Sequence, residues 1–182
     1  MKFRFLRFEE IPSTNTLASE HARRGDSEGL VIVADHQTAG RGKPGRKWIS
    51  PAGKNLLFSI LLRPPVRPSR APLLTQIACR SVAKVLKVKY QMVTTFKRPN
   101  DILVDGKKIC GVLVEASSGS NGTLDSAIIG IGLNVNATSE ELIPEATSLR
   151  EVKGKEYNRE IILKSILAQL KRDMKDFYAY PS

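Results

Sequence analysis

Apolar positions recur along this chain with two different periods, and each change of period marks an element. "NREIILKSILAQLKRDMKDFYAY" places Ile162, Ile166, Leu170, Met174 and Phe177 at spacings of three and four behind a capping Asn158, which predicts a long amphipathic helix. "LLTQIACRSVAKVLKV" puts Leu73, Ile77, Val82, Val85 and Leu86 near one helical face and predicts a second core-facing helix. "STNTLASEHARRG" opens with capping residues, continues with helix formers and stops at Gly25, as a short first helix would. Elsewhere the helical period disappears. "GLVIVAD" (29–35) and "NLLFSILL" (55–62) are apolar runs that predict strands. "ILVDGKKICGVLVEAS" sets two apolar segments around Asp105-Gly106, a two-residue hairpin signal, and a further hairpin turns at Asn121-Gly122 into "SAIIGIGLNVN". Between them, the prolines of "RPPVRPSRAP" allow only irregular or extended chain.

Hairpin-linked strands, with helices before, between and after them, predict an α+β fold: a mixed, largely antiparallel β-sheet covered on one face by helices. This pattern argues against a doubly wound nucleotide fold. At 182 residues, with no internal repeat and no linker, the chain reads as one domain.

Composition narrows the chemistry. The 41% apolar and 26% charged content is that of a folded protein. No signal peptide or membrane-spanning run is visible, so no membrane association is expected and the cytoplasm is the default compartment. Cys79 and Cys110 have no partner at metal-ligand spacing and read as small buried hydrophobes. With His21 and His36 as the only imidazoles, a Ser-His-Asp or metal constellation is not expected, and the chemistry needs no protein nucleophile. A net charge of +11 favours anionic partners, although a basic surface that only aids solubility has the same composition.

"GRGKPGRKW" follows the first strand. Gly40, Gly42 and Gly45 let main-chain N–H groups approach an anion, and Arg41, Lys43, Arg46 and Lys47 add charge at nearly every other position. The spacing fits neither a P-loop, which needs a helix next, nor the dinucleotide fingerprint. A basic surface loop remains the alternative. Trp48, the only tryptophan, is placed either to stack on a purine or to fill the core.

Four segments, "STNT" (13–16), "QTAGRGKPGRKW" (37–48), "KRPNDILVDGKKICGVLVE" (97–115) and "GIGLNVN" (130–136), occur together in an order that resembles the catalytic domain of biotin protein ligases, which share a fold superfamily with lipoate ligases. The resemblance runs over roughly residues 5–180. It implies that biotin's carboxylate attacks the α-phosphate of ATP, and that a lysine of a biotin carboxyl carrier protein domain then attacks the biotinyl-5′-adenylate. Such catalysis rests on positioning and on stabilising negative charge.

Carried over by position, the resemblance implies that Ser13, Thr14 and Asn15, with Gln37 beside them, hydrogen-bond the ureido ring of biotin; an ordinary helix N-cap is the other role open to the first three. Gly40, Arg41, Gly42, Lys43, Lys97 and Gly111 complete the biotin site. Arg41 neutralises the biotin carboxylate and the phosphate, and Lys97 reaches the oxygens between acyl group and phosphorus; these two are the catalytic residues. Arg46 meets the outer phosphates, Trp48 flanks adenine and Asn134 reads its edge. Asn100 and Asp101 orient the triphosphate and its Mg²⁺, with Asp101 as the metal ligand, unless they simply form a turn after Pro99. Gly111, Gly130 and Gly132 let strands pass close to the ligand, or serve tight sheet packing. The loop is expected to be disordered when empty and to fold over the adenylate.

Three features depart from the family pattern. Lys43 stands where arginine is usual, Arg98 replaces the tryptophan of "KWPND", and the chain stops at Ser182 without the customary small β-rich C-terminal domain. It also begins without the helix-turn-helix domain of the repressor subtype, so no specific DNA binding is expected, while a homodimer remains open. Two rival functions stay in play. One is a lipoate or octanoyl ligase of the same superfamily. The other is a catalytically weakened, basic nucleic-acid-binding relative, against which the 6% aromatic content counts.

Overall fold

A computed structural model describes residues 1–43, 45–120 and 122–179. Its strands form one seven-stranded sheet in the order β1-β2-β3-β7-β6-β5-β4. They are β1 (Arg4–Ile11), β2 (Leu30–Gln37), β3 (Leu56–Leu62), β4 (Thr95–Lys97), β5 (Asp101–Val104), β6 (Lys107–Ser118) and β7 (Leu124–Leu133). β1 and β2 are parallel, joined by α1 (Thr14–Arg23), and every other neighbouring pair is antiparallel, as the hairpin signals predict.

The Asp105-Gly106 turn joins β5 to β6 with φ of 49° and 77°, the double left-handed conformation that a two-residue hairpin requires. The expected turn at Asn121-Gly122 falls between β6 and β7, where Asn121 lies outside the described residues.

Val31, Val33, Phe58, Ile60, Val112, Ile129 and Ile131 face α2 (Ala71–Tyr90) and α4 (Arg159–Ala179) and form the main core with them. On α4 the predicted stripe of Ile162, Ile166, Leu170, Met174 and Phe177 is buried, and Asn158 Oδ1 accepts hydrogen bonds from the N–H groups of Glu160 and Ile161 at 2.9 and 3.1 Å. On α2 the stripe is turned slightly from the expected one: Leu74 is buried and Leu73 exposed, because Ala78, Cys79 and Val82 set the inward face. The short helix α3 (Leu149–Lys153) precedes α4.

The helices do not all lie on one face. Ala18 and Ala22 of α1 pack with Leu30, Ile32, Leu61 and Ile128, which alternate with the core residues and so occupy the opposite side of the sheet. The smallness of α1's inward residues lets it sit close to that face and leave the rest of it open. β1 and β4 were not legible in the hydrophobic pattern. β1 carries charge at alternating and adjacent positions, and β4 is three exposed residues long.

Candidate functional site

Antiparallel register decides which residues share the open face. Lys97 pairs with Asp101, Asp101 with Gly111, Gly111 with Gly132, and Gly132 with Leu57, so one row of same-side residues runs across five strands. The next row holds Leu113, Gly130 and Ser59. This glycine-floored patch, α1 and the 40–48 loop enclose a cavity of about 470 Å³, the size of a small-molecule site.

One end of the cavity is a buried polar network at the start of α1. Ser13 caps the helix, its Oγ accepting from Thr16 N–H at 3.4 Å. Thr14 donates from N–H and Oγ1 to Gln37 Oε1 at 2.7 and 3.0 Å. Ser59 Oγ lies 2.7 Å from Thr14 Oγ1 and 2.6 Å from Asn15 Oδ1, and Asn15 Nδ2 donates to Glu115 Oε2 at 2.7 Å. The N-cap and pocket roles of Ser13–Asn15 therefore coexist. Gly130 has no side chain because a Cβ there would strike Asn15 Oδ1.

The other end is cationic. Arg41, Lys43, Arg46, Lys47, Lys97 and Lys108 line it, against the carboxylates of Asp101 and Glu145. The described residues of the loop are a folded hairpin, closed by an Arg41↔Lys47 bridge and by Gly42 N–H to Arg46 O at 2.9 Å. Arg41 forms an ion pair with Glu115, so one carboxylate oxygen ties the loop to Asn15. Trp48 lays its ring on the glycine floor, where a Cβ at Gly132 would come within 2.6 Å of it. A side chain there and the indole could not coexist.

Two buried polar atoms of cavity residues lack a partner among the described residues: Trp48 Nε1 and Asn100 Oδ1. Unpaired buried groups of this kind are what a polar ligand or an ordered water satisfies. Asn100 also holds the fold, donating from Nδ2 to Val112 O at 2.6 Å.

The structure thus brings Ser13, Thr14, Asn15, Gln37, Arg41, Gly42, Lys43, Arg46, Trp48, Lys97, Asn100, Asp101 and Gly111 around one cavity. Two expected residues are not brought in. Gly40 accepts Trp48 N–H through its carbonyl at 3.0 Å and shapes the loop from behind. Asn134 is buried beside the cavity and not in its wall, its amide donating to Thr147 O at 3.0 Å and accepting from Asn55 Nδ2 at 3.1 Å. Ser59, Lys108 and Glu115 were missed. The signal for Ser59 was a lone hydroxyl inside the apolar run 55–62.

Both thiols are buried as expected. Burial, then the nearby Asp101 carboxylate, pushes Cys79 up to about 11, and burial raises Cys110 as well, so neither is a reactive nucleophile. Among the described residues no three His, Cys, Asp or Glu side chains cluster as a metal cage.

A glycine-floored sheet face with a buried hydroxyl-amide end and a cationic end defines a binding domain for a small, polar, anionic ligand. The chain belongs to the biotin/lipoate A/B protein ligase family, whose model matches residues 7–134. It is 36% identical over 174 residues to the bifunctional ligase/repressor BirA of Bacillus spizizenii, covering 93% of this chain and 53% of the relative. It is 34% identical over 164 residues to the biotin–[acetyl-CoA-carboxylase] ligase of Mycobacterium tuberculosis, covering 87% of this chain and 59% of that one. The chain therefore spans little more than half the length of these curated relatives. Among solved structures, the Aquifex aeolicus biotin protein ligase in complex with biotin and ATP superposes with a TM-score of 0.82 at 34% identity, over 97% of this chain and 72% of that one. The Leishmania major biotin protein ligase in complex with biotinyl-5-AMP gives 0.68 at 28% identity, over 92% and 73%. No helix among the described residues is long and apolar enough to cross a membrane.

Proposed function

We propose that this chain activates biotin with ATP and passes it to a lysine of a biotin carboxyl carrier protein domain. What supports this reading most is that residues from all four sequence segments that resemble biotin protein ligases line one cavity of suitable size. The A. aeolicus and L. major relatives, whose structures hold biotin with ATP and biotinyl-5-AMP, support it further.

In this reading the ureido ring lies at the polar end, where Thr14, Asn15 and Ser59 exchange hydrogen bonds with each other for bonds to the ligand. A ligand without matching donors and acceptors would leave those buried groups unpaired, which is a strong basis for selectivity. The biotin carboxylate points to the cationic end. One of its oxygens bonds to the α-phosphorus of ATP as the bond to the pyrophosphate oxygen breaks. Arg41, released from Glu115, and Lys97 balance the charge that builds on the oxygens in flight. The carrier lysine, as a free amine, then attacks the acyl carbon, AMP leaves, and the amine loses a proton. The loop hairpin with Trp48 keeps water from the mixed anhydride between the two steps.

Magnesium fits as a one-carboxylate site: Asp101 would hold it, beside the unpaired Asn100 Oδ1, and it would neutralise charge on the phosphates. The cytoplasm, where carrier domains and ATP are at hand, is the compartment this activity implies.

Biotin-dependent exchange of labelled pyrophosphate into ATP tests the reading. The unmodified protein supports exchange, lipoate does not substitute for biotin, and Lys97→Ala lowers the rate about 10²- to 10³-fold while still binding biotin. No exchange by the unmodified protein would overturn the proposal, and normal exchange by the variant would remove Lys97 from its role.

A further inference from the structure

The positive charge of this chain is not spread evenly along it. Residues 36–100 hold fourteen lysines and arginines and no Asp or Glu, so the remainder, fifteen cations against eighteen acids, is net −3 and this one segment carries more than the whole excess of +11. Arg41, Lys43, Arg46, Lys47 and Lys97 line the cavity, and Arg63 is committed to Ala22 O, Asp26 O and the Asp125 carboxylate. Four more, Arg80, Lys84, Lys87 and Lys89, are exposed along α2, which has no acidic residue. α4 lies antiparallel beside it, with Lys84 Nζ donating to Asp173 Oδ1 at 2.6 Å and Lys89 Nζ to Ser165 Oγ at 2.7 Å. On α4 the exposed Lys164, Lys171 and Lys175 follow at spacings of seven and four, again one outward stripe. Two rows of cations thus lie side by side on the helical layer, across the sheet from the cavity.

Like charges three and four residues apart, Arg80 with Lys84, Lys84 with Lys87 and Lys171 with Lys175, destabilise the helices that carry them. Asp173 relieves Lys84, and Glu160 lies 3.6 Å from Lys164, but Arg80, Lys87, Lys171 and Lys175 have no ion-pair partner among the described residues. A face that served solubility alone would mix the two signs. We propose that the outer face of α2 and α4 binds the phosphate backbone of nucleic acid, without regard to base sequence. The rows run about 10 and 16 Å at the helical rise, long enough to meet several phosphates. An acidic protein fits less well, because a protein interface is built around a desolvated apolar centre. The exposed large apolar residues described on these helices, Leu73, Val88 and Ile161, lie near their ends and leave the middle to the cations. Release of counterions from phosphates needs no apolar centre. No aromatic side chain stands in the rows to stack on a base, so duplex is held at least as well as single strands. The face is separate from the cavity, and its binding does not depend on what the cavity holds.

Fluorescence anisotropy of a labelled DNA duplex of about 20 base pairs tests this, titrated at several salt concentrations upward from about 50 mM. The unmodified protein binds, and log affinity falls against log salt with a slope of about −4 to −5, as some five phosphate contacts would give. Arg80→Glu/Lys87→Glu/Lys171→Glu lowers affinity about 10- to 100-fold and flattens the slope, whereas Arg80→Lys/Lys87→Arg/Lys171→Arg keeps both. The charge-reversed variant melts no lower than the unmodified protein, since it removes like-charge repulsion along both helices. Lys43→Glu/Arg46→Glu, on the far side of the sheet, leaves duplex affinity within about twofold, because salt screens distant charge. No binding by the unmodified protein, equal binding by the charge-reversed variant, or loss of binding on reversing the loop charges instead would overturn the inference. So would polyglutamate of equal charge competing as well as duplex, which would make the face a site for an acidic protein.

Discussion

Along β6 and β7, Val112, Ile129, Ile131 and Leu133 point to α2 and α4 and are almost wholly buried, whereas Gly111, Leu113, Gly130 and Gly132, one residue along, floor the cavity. The same strands thus build two surfaces with opposite demands. On the core side, apolar volume is packed to exclude water and supplies stability. On the cavity side, side chains have been removed or made polar, so ligand space is gained at the expense of packing, and glycines stand where a strand would ordinarily hold β-branched residues. Changes on the first face should therefore act on folding, and changes on the second on binding.

The largest effect belongs to the core face. Ile129→Ala empties the centre of β7 and lowers stability by about 2–5 kcal/mol in denaturant titration, with ligand affinity of the folded fraction unchanged. Loss of affinity without loss of stability would erase the distinction between the faces. Gly132→Ala, its neighbour in kind on the cavity side, drives a methyl into the Trp48 indole. It costs about 1–3 kcal/mol if the ring is held, and shifts the emission of the single tryptophan either way.

Smaller still is the Asp173 clasp between α2 and α4. Burial raises its carboxyl, but hydrogen bonds from Lys84, Ser81 and Gln169 outweigh that and hold it below the ordinary carboxylate value. A depressed pKa contributes stability above the unfolded-state value and loses it as pH falls through the folded one. The stability difference between the protein and Asp173→Asn, about 1 kcal/mol, should hold from neutral pH to about pH 4 and shrink below it. Smallest is Glu115→Gln, which keeps an acceptor for Asn15 but loses the half-exposed pair with Arg41. Stability changes by less than about 1 kcal/mol, yet trypsin cuts the 41–47 loop faster. An unchanged cleavage rate would mean that Glu115 does not tether the loop.

The core face was far more legible in the sequence than the cavity face, for a physical reason. Burial against helices imposes a period, which gave α4, β2, β3 and the Asp105-Gly106 hairpin from pattern alone. The cavity face is defined by what is missing, so its glycines and Ser59 interrupt the pattern without saying why, and the residues that line it became legible through the resemblance. Lys108 was invisible because its side depends on one bulge between β5 and β6 that pairing, not composition, creates. The motif around Asn134 also gave no sign that its amide is held by Asn55 and Thr147 and lies away from the cavity lining. β1, with Arg4, Arg7, Glu9 and Glu10 in eight residues, pairs only with β2 among the described residues and carries no burial signal strong enough to mark it.

The most direct test of the central claim is a crystal of this protein soaked with biotinyl-5′-adenylate. The account predicts the ligand along the floor of Gly111, Gly130 and Gly132, its ring system at Asn15 and Ser59, its phosphate between Arg41 and Lys97, and the Trp48 indole lifted from Gly132. Density for the ligand on any other surface, or an unaltered Trp48 over an empty floor, would contradict it.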